Sequence, residues 1–180
     1  ADVVGACKDL GLRKIRITGG EPLLRRDLDV LVKLLRDVHP EADLALTTNG
    51  VLLERHAERL LEAGLDRVTV SMDALSTPVY SAMGDVEHGP EATLQGIEKA
   101  RAVGLRVKVN CVVRAGVNEG ELVPLVEHFG PLGVPVRFIE FMDVGATNQW
   151  SLDEVITSKK VRSMLAAHFG EVTPLDATAY

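Results

Sequence analysis

Two cations lie between β-branched residues in segments that have the pattern of strands. Arg16 stands in KIRIT at 14–18, and Lys108 stands in RVKVN at 106–110. Burying a cation is unfavourable unless an anion compensates its charge. Arginine holds a phosphate group through paired hydrogen bonds, and lysine attracts it as a point charge. We therefore predict that Arg16 and Lys108 bind an anionic ligand.

Glycines and polar residues follow three such segments, at the point where each strand should end. The motifs are TGGEP at 18–22, TTNG at 47–50 and SMDA at 71–74. Glycine lets the backbone approach a ligand closely because it carries no side chain. Hydroxyl, amide and carboxyl groups beside it can hydrogen-bond the same ligand. These motifs are predicted to meet at the carboxyl ends of parallel strands, where barrel enzymes hold their substrates.

The segments that carry these residues recur as a strand, a polar loop and a helix. The predicted strands are Lys14–Thr18, Leu44–Thr48, Arg67–Ser71, Arg106–Val113 and Val136–Met142. The predicted helices are Leu28–Val38, Glu54–Ala63, Pro90–Val103, Glu119–Phe129 and Lys159–Phe169. Helices of this length between successive strands favour parallel crossovers.

The predicted strands alternate polar with apolar residues, whereas a parallel sheet covered by helices on both faces is apolar throughout. Helices must cover the apolar face, so the polar residues should face a shared interior, and Glu140 is expected among them. We therefore predict an α/β fold, a partial (βα)6 TIM-like barrel with a polar lumen. Arg67 and Arg106 begin their strands, and we expect water to solvate them.

Composition excludes several classes of function. The 180 residues are 46% hydrophobic, which suffices for one core in a single domain. The net charge of −6 argues against nucleic-acid binding through bulk basic charge. The 2 cysteines form no CxxC, which excludes a disulfide scaffold and a zinc ribbon. No apolar run reaches the roughly 20 residues of a membrane span, and we expect a cytoplasmic protein.

The motifs together resemble the radical S-adenosylmethionine (radical SAM) superfamily, and more narrowly the GTP 3′,8-cyclases of molybdenum cofactor biosynthesis. GGEP after a strand is typical of the superfamily. VKVN at 107–110 and RFIEFM at 137–142, followed by Gly145 and Trp150, are more specific for the cyclases. The resemblance extends over essentially the whole chain.

The resemblance implies two sets of ligand contacts. Five residues match contacts to S-adenosylmethionine: Gly19, Gly20, Glu21, Ser71 and Met142. Three residues match contacts to GTP: Arg16, Thr47 and Lys108. The second set includes both cations that the strand pattern had already singled out.

The resemblance also implies cysteines that this sequence lacks. Two [4Fe–4S] clusters would need a CxxxCxxC triplet before the first motif and three further cysteines after the barrel. Cys7 and Cys111 fit neither pattern and are expected to be packing residues. We expect 1–180 to be a single barrel domain truncated at both ends, without its first strand and inactive alone, with 145–180 beginning a C-terminal extension.

In the intact enzyme, the resemblance implies cyclisation of GTP to 3′,8-cyclo-7,8-dihydro-GTP. A radical formed from S-adenosylmethionine removes the ribose 3′ hydrogen, and the ribosyl radical attacks C8 of guanine. A downstream cyclic pyranopterin monophosphate synthase would be a functional partner. No nucleic acid or membrane is expected as a partner, and a homodimer stays open.

Three other interpretations also stay open. Another radical SAM subfamily would act on a peptide or a sugar. A Schiff-base aldolase-type barrel would use Lys108 as its nucleophile. A non-catalytic module would bind the nucleotide without transforming it.

Overall fold

The computed structural model describes residues 2–7, 10–143 and 150–173. Within these ranges, five strands pair in chain order to form one parallel sheet. They are β1 (Lys14–Ile17), β2 (Asp43–Thr48), β3 (Arg67–Ser71), β4 (Arg106–Val113) and β5 (Val136–Glu140).

Helices precede, separate and follow these strands. The α-helices of the described ranges are α1 (Asp2–Cys7), α2 (Leu28–Val38), α3 (Leu53–Glu62), α4 (Thr77–Gly84), α5 (Glu91–Val103), α6 (Leu122–Phe129) and α7 (Ser158–Phe169). Short 3-10 helices lie at Pro22–Leu24, Glu119–Glu121 and Leu152–Glu154.

The strand order explains why one face of the sheet is polar. Parallel strands joined by right-handed crossovers in strict chain order place their helices on the same side of the sheet. The other face is then free to line a lumen, as in a barrel. The order β1-β2-β3-β4-β5 therefore confirms the predicted partial TIM-like barrel rather than a doubly wound sheet.

The register separates the two faces residue by residue. Lys108 of β4 lies opposite Thr69 of β3, and Thr69 lies opposite Thr47 of β2. These residues share the lumen face, while their neighbours in sequence point to the helices. The helix-side residues of β4 are buried, and Cys111 among them is fully buried, which confirms its predicted packing role.

Two glycines bring α5 against the turn that follows β2. A Cβ atom on Gly96 would lie 2.5 Å from the carbonyl oxygen of Gly50 and 2.9 Å from Cβ of Leu53. Gly50 has φ +81°, a conformation that side chains rarely adopt, and its own Cβ would clash with Val70. The TTNG motif at 47–50 therefore keeps its shape because α5 packs directly on it.

The structure corrects the prediction for Glu140. β5 ends at Glu140 rather than Met142, and Glu140 pairs with Val113, a buried residue of the helix side. Its carboxylate accepts a hydrogen bond from Ser158 N at 2.5 Å, at the start of α7. Glu140 therefore faces α7 and not the lumen, because it has the same parity in β5 as the core residue Phe138.

The region expected to begin the C-terminal extension is described in part. Residues 150–173 contain one short 3-10 helix and α7. Gly145, with the rest of 144–149, and the segment 174–180 lie outside the described residues.

Candidate functional site

The lumen face carries a cluster of cations at the amino-terminal half of the sheet. A cavity of about 840 Å³ opens there. Its charged lining residues from the strands are Lys14, Arg16, Asp43, Arg67, Arg106, Lys108 and Arg137. Six of these seven side chains are basic, so the cavity attracts anions although the whole chain is acidic.

Lys108 is near enough to other cations of this cluster for their charges to act on it. Its side chain is half-buried. Burial lowers the pKa of Lys108, and the charges of neighbouring cations lower it further, in the order Arg137, Arg67, Arg16 and Lys14. A ligand phosphate would relieve this repulsion, which is the condition under which a crowded cation binds an anion well.

Arg16 faces the same cavity from β1. It is exposed, because β1 forms one edge of the described sheet. The strand pattern had suggested a buried position for Arg16, but its predicted direction towards the lumen is correct. Lys14 shares this face with Arg16 by strand alternation, whereas Arg137 is placed on it by the β4–β5 register, in which it lies opposite Asn110.

Arg67 is not a solvated residue at a strand start, as the sequence had suggested. It donates hydrogen bonds to Asp43 from Nε at 2.9 Å and from Nη2 at 2.7 Å. Hydrogen bonds from Arg67 lower the pKa of Asp43, although burial opposes the shift. Arg106, with a side chain 71% exposed, is solvated as predicted. Asp43 therefore neutralises Arg67 and also lies 3.9 Å from Nη2 of Arg106.

Two polar atoms on the lumen face are buried without a hydrogen-bond partner among the described residues. They are Thr47 Oγ1 and Asn110 Oδ1. An unpaired buried polar atom costs about 1–3 kcal/mol, so such atoms commonly mark a ligand or an ordered water. The family resemblance assigns Thr47 to GTP, whereas Asn110 belongs to the VKVN motif at 107–110 without an assigned ligand.

The glycine-rich turn after β1 lies at the carboxyl end of the sheet and is held by Glu21. Glu21 Oε1 accepts hydrogen bonds from Thr48 Oγ1 at 2.6 Å and from Leu23 N at 3.0 Å, and Oε2 accepts one from Asn49 N at 2.8 Å. An added Cβ on Gly19 or Gly20 would meet no atom within 4 Å. The carboxylate thus fixes the turn to β2 and leaves the glycine backbone open to a ligand.

The last two residues that the resemblance assigns to S-adenosylmethionine, Ser71 and Met142, lie at or just beyond the ends of β3 and β5. Ser71 is exposed at the end of β3, opposite Asn110 in register. Met142 is 59% exposed, two residues beyond β5. The carboxyl ends of the strands thus carry Gly19, Gly20, Glu21, Ser71 and Met142, and the cation cluster lies deeper in the lumen.

Asp73 follows Ser71 and joins the ends of β3 and β4. Its Oδ1 accepts a hydrogen bond from Val112 N at 2.7 Å. Burial raises the pKa of Asp73 to about 6, and the hydrogen bond from Val112 opposes this shift. Burial also raises the pKa of the Cys111 thiol. Cys111 is therefore protonated and unreactive at neutral pH.

The described residues do not form a metal centre. Among them, no group of three or more His, Cys, Asp or Glu side chains could hold a metal ion. Across the same ranges, every helix is too short or too polar to traverse a lipid bilayer.

Comparison with protein families and curated proteins gives one consistent result. Residues 1–129 match the radical SAM superfamily. The chain is 42% identical over 168 residues to "GTP 3′,8-cyclase" of Staphylococcus aureus strain JH9 and equally so to that of strain N315. Each alignment covers 93% of this chain and 49% of the relative, so the chain spans about half the length of these curated proteins.

Solved structures show the same fold at low sequence identity. Streptococcus suis SuiB bound to S-adenosylmethionine aligns with a TM-score of 0.74 at 15% identity, covering 93% of this chain and 39% of that one. Methylornithine synthase aligns with a TM-score of 0.70 at 16% identity, covering 94% and 52%. Together these similarities do not favour the aldolase-type barrel or the non-catalytic module.

Proposed function

Because the chain belongs to the radical SAM superfamily, we propose that it is the ligand-binding barrel of a GTP 3′,8-cyclase. The reaction is the cyclisation of GTP to 3′,8-cyclo-7,8-dihydro-GTP, a step of molybdenum cofactor biosynthesis. The proposal is supported by 42% identity to curated GTP 3′,8-cyclases over 93% of the chain. In this proposal 1–180 is one truncated barrel domain, and 145–180 begins a C-terminal extension.

The observation that carries the proposal is the basic cavity. Arg16 and Lys108 face it from β1 and β4, and their mutual repulsion is part of what lowers the pKa of Lys108. A triphosphate carries several negative charges on one flexible chain, so it can contact both cations at once. Thr47 Oγ1, which is buried without a partner among the described residues, adds a neutral hydrogen-bonding group for the substrate.

S-adenosylmethionine fits the carboxyl ends of the strands. The open backbone at Gly19 and Gly20 would hold its methionyl group, with Glu21 fixing the turn. Ser71 and the unpaired Asn110 Oδ1 lie opposite each other and would hydrogen-bond its ribose, while Met142 would contact the adenine. When bound, this cofactor would supply the radical chemistry that removes a hydrogen atom from the GTP ribose.

The two [4Fe–4S] clusters of the proposed enzyme do not fit the residues described. Cys111 is buried in the core, and Cys7 lies in α1, so the two do not make the three-cysteine set that each cluster needs. What these residues do is bind and orient the two ligands within one lumen.

Two partners complete the proposal. A cyclic pyranopterin monophosphate synthase would take up the product as a downstream functional partner. Self-association into a homodimer is the second, and sedimentation of the purified protein tests it directly.

The first experiment measures iron, sulfide and turnover on the protein as its natural gene encodes it, purified without oxygen. The expected result is about eight iron atoms per chain, as two [4Fe–4S] clusters require, with GTP consumption that depends on S-adenosylmethionine. About four iron atoms without GTP turnover would assign the chain to another radical SAM subfamily. Absence of iron would contradict the proposal altogether.

The second experiment tests the basic cavity with Arg16→Ala and Lys108→Ala in the same protein. Each variant should raise the Kd for GTP about tenfold, the equivalent of one lost charge-assisted contact. Lys33→Ala is the matched control, because Lys33 is an exposed lysine on α2 that pairs with Asp37 and lies outside the lumen. Unchanged GTP affinity in both lumen variants would rule out this cavity as the triphosphate site.

A further inference from the structure

The turn Arg114–Asn118 after β4 ties β4 to the loop that follows β3. Asn118 is 1% exposed, and its Nδ2 donates hydrogen bonds to the carbonyl oxygens of Asp73 at 2.9 Å and Val112 at 2.8 Å. Its Oδ1 accepts a hydrogen bond from Arg114 N at 2.8 Å. These bonds fix the amide in one orientation and join the segment after β3 to the end of β4 and the turn that follows it.

The same turn reaches the segment that follows β5. The Arg114 guanidinium lies over the ring of Phe141, 5.2 Å from its centroid. Arg114 Nε donates to Glu154 Oε1 at 2.7 Å, and Nη2 donates to the same oxygen. Trp150 Nε1 donates to the Phe141 carbonyl oxygen at 3.1 Å, so Phe141 is held on both its ring and its backbone.

These two sets of contacts flank the carboxyl ends of β3 and β5. Ser71 precedes Asp73 by two residues, and Met142 directly follows Phe141. Asn118 is buried and makes its bonds within the protein, so it acts on a ligand only through the segments it holds. Arg114 engages Glu154 and Phe141 in the same way.

We propose that Arg114 and Asn118 are positioning residues that fix Ser71 and Met142 relative to each other for S-adenosylmethionine. The inference rests on the proposed function, since it takes that cofactor as the ligand of both residues. Ser71 and Met142 come from different strand ends and would contact different parts of one ligand. Both contacts contribute fully to affinity only if their separation is set before the ligand binds.

Arg114→Lys and Asn118→Ala test the proposal in the reconstituted protein encoded by the natural gene. Lysine keeps the charge opposite Glu154 but loses the planar stacking on Phe141. Alanine removes the hydrogen bonds of the Asn118 amide to Asp73, Val112 and Arg114. Calorimetry measures the Kd for S-adenosylmethionine and, separately, the Kd for GTP. The expected result is an increase of about tenfold for S-adenosylmethionine in each variant, with the GTP value within about twofold of wild type.

Arg36→Lys is the matched control. Arg36 is also a partly buried arginine, but it bonds the carbonyl oxygens of Gly64 and Ala42 and the Asp66 carboxylate near the opposite ends of the strands. Its substitution should lower Tm without changing the Kd for S-adenosylmethionine. A general loss of stability is thereby separated from a loss of positioning, because only positioning changes the affinity for one ligand and not the other.

Each outcome decides a different question. If Arg114→Lys binds S-adenosylmethionine as tightly as wild type, or loses affinity for both ligands equally, the positioning role is wrong while the proposed function stands. If the wild-type protein itself binds no S-adenosylmethionine, the proposed function fails and the inference fails with it. If Asn118→Ala does not fold, Arg114→Lys alone decides.

Discussion

At the scale of the single residue, Asp73 shows how burial changes the chemistry of a carboxyl group. It lies two residues beyond the end of β3, where burial raises its pKa to about 6 from an ordinary value of 3.8. Between these two values the folded protein holds a proton that the unfolded chain has released. The free energy of unfolding therefore falls as the pH rises through this interval.

Asp73→Asn should remove this loss of stability. Asparagine keeps an oxygen that can accept the hydrogen bond from Val112 N but has no proton to release. The wild-type free energy of unfolding is expected to fall by about 2 kcal/mol more than that of the variant between pH 4 and pH 7. Urea titrations across this pH range measure the difference.

Glu119→Gln provides a control of opposite sign. A hydrogen bond from Gly116 N lowers the pKa of Glu119, so its contribution is present above its ordinary pKa and is lost as the pH falls. Its substitution should therefore reduce stability at pH 7 more than at pH 4. Equal pH profiles for wild type and Asp73→Asn would contradict the burial argument.

At the scale of elements, Glu140 links the last strand to the last described helix. Its carboxylate accepts the hydrogen bond from Ser158 N, and Thr157 Oγ1 accepts one from Lys160 N. A negative charge at a helix N-terminus is favourable, because it satisfies free N–H groups and complements the helix dipole. α7 packs back on β5 and α6 through the same region.

Glu140→Gln should lower the free energy of unfolding by about 1 kcal/mol, since it removes the charge and keeps an acceptor. Denaturant unfolding at pH 7 measures the change. Glu62→Gln is the control, because Glu62 is the last residue of α3 and its charge opposes the dipole there. That variant should be neutral or slightly stabilising, and an equal loss in both variants would contradict a dipole effect.

At the scale of the whole molecule, charge is distributed unevenly. The chain carries a net charge of −6, yet its lumen face concentrates basic side chains around an 840 Å³ cavity. Cations so close together raise the positive potential in a partly enclosed space, where solvent screens it less well. The acidic surface elsewhere does not cancel this local field.

GTP binding should therefore weaken with salt. Raising NaCl from about 50 to about 500 mM is expected to increase the Kd for GTP about tenfold. The added ions shorten the Debye length and so screen the attraction between the lumen cations and the triphosphate. Calorimetry in the holoprotein measures this dependence. Guanosine, which has no phosphate, is the control ligand and should bind weakly without salt dependence. A GTP affinity that is constant over this range would show that the cations do not bind the triphosphate.

Much of the fold and part of the site followed from local patterns. Side chains alternate between the two faces of a strand, so Arg16 and Lys108 could be assigned to the polar face from the residues that flank them in sequence. This assignment needs no knowledge of which other strands or helices pack beside them. Chain-order pairing follows from the regular alternation of strands and helices. The motifs at 18–22, 47–50 and 71–74 came together because parallel strands bring their carboxyl ends to one edge.

What only the tertiary structure decided depends on contacts between residues distant in the sequence. Asp43 neutralises Arg67, which lies 24 residues later in the sequence. Asn118 donates a hydrogen bond to the carbonyl oxygen of Asp73, which lies 45 residues earlier. Glu140 faces α7 and not the predicted lumen, because the β4–β5 register determines which face of the sheet its side chain lies on, whatever its polarity. The sequence by itself determined which residues alternate on a strand, since that is a property of the local backbone. Tertiary packing determined the hydrogen-bond partner, the burial and the pKa of each side chain, because these depend on which residues of other segments lie beside it.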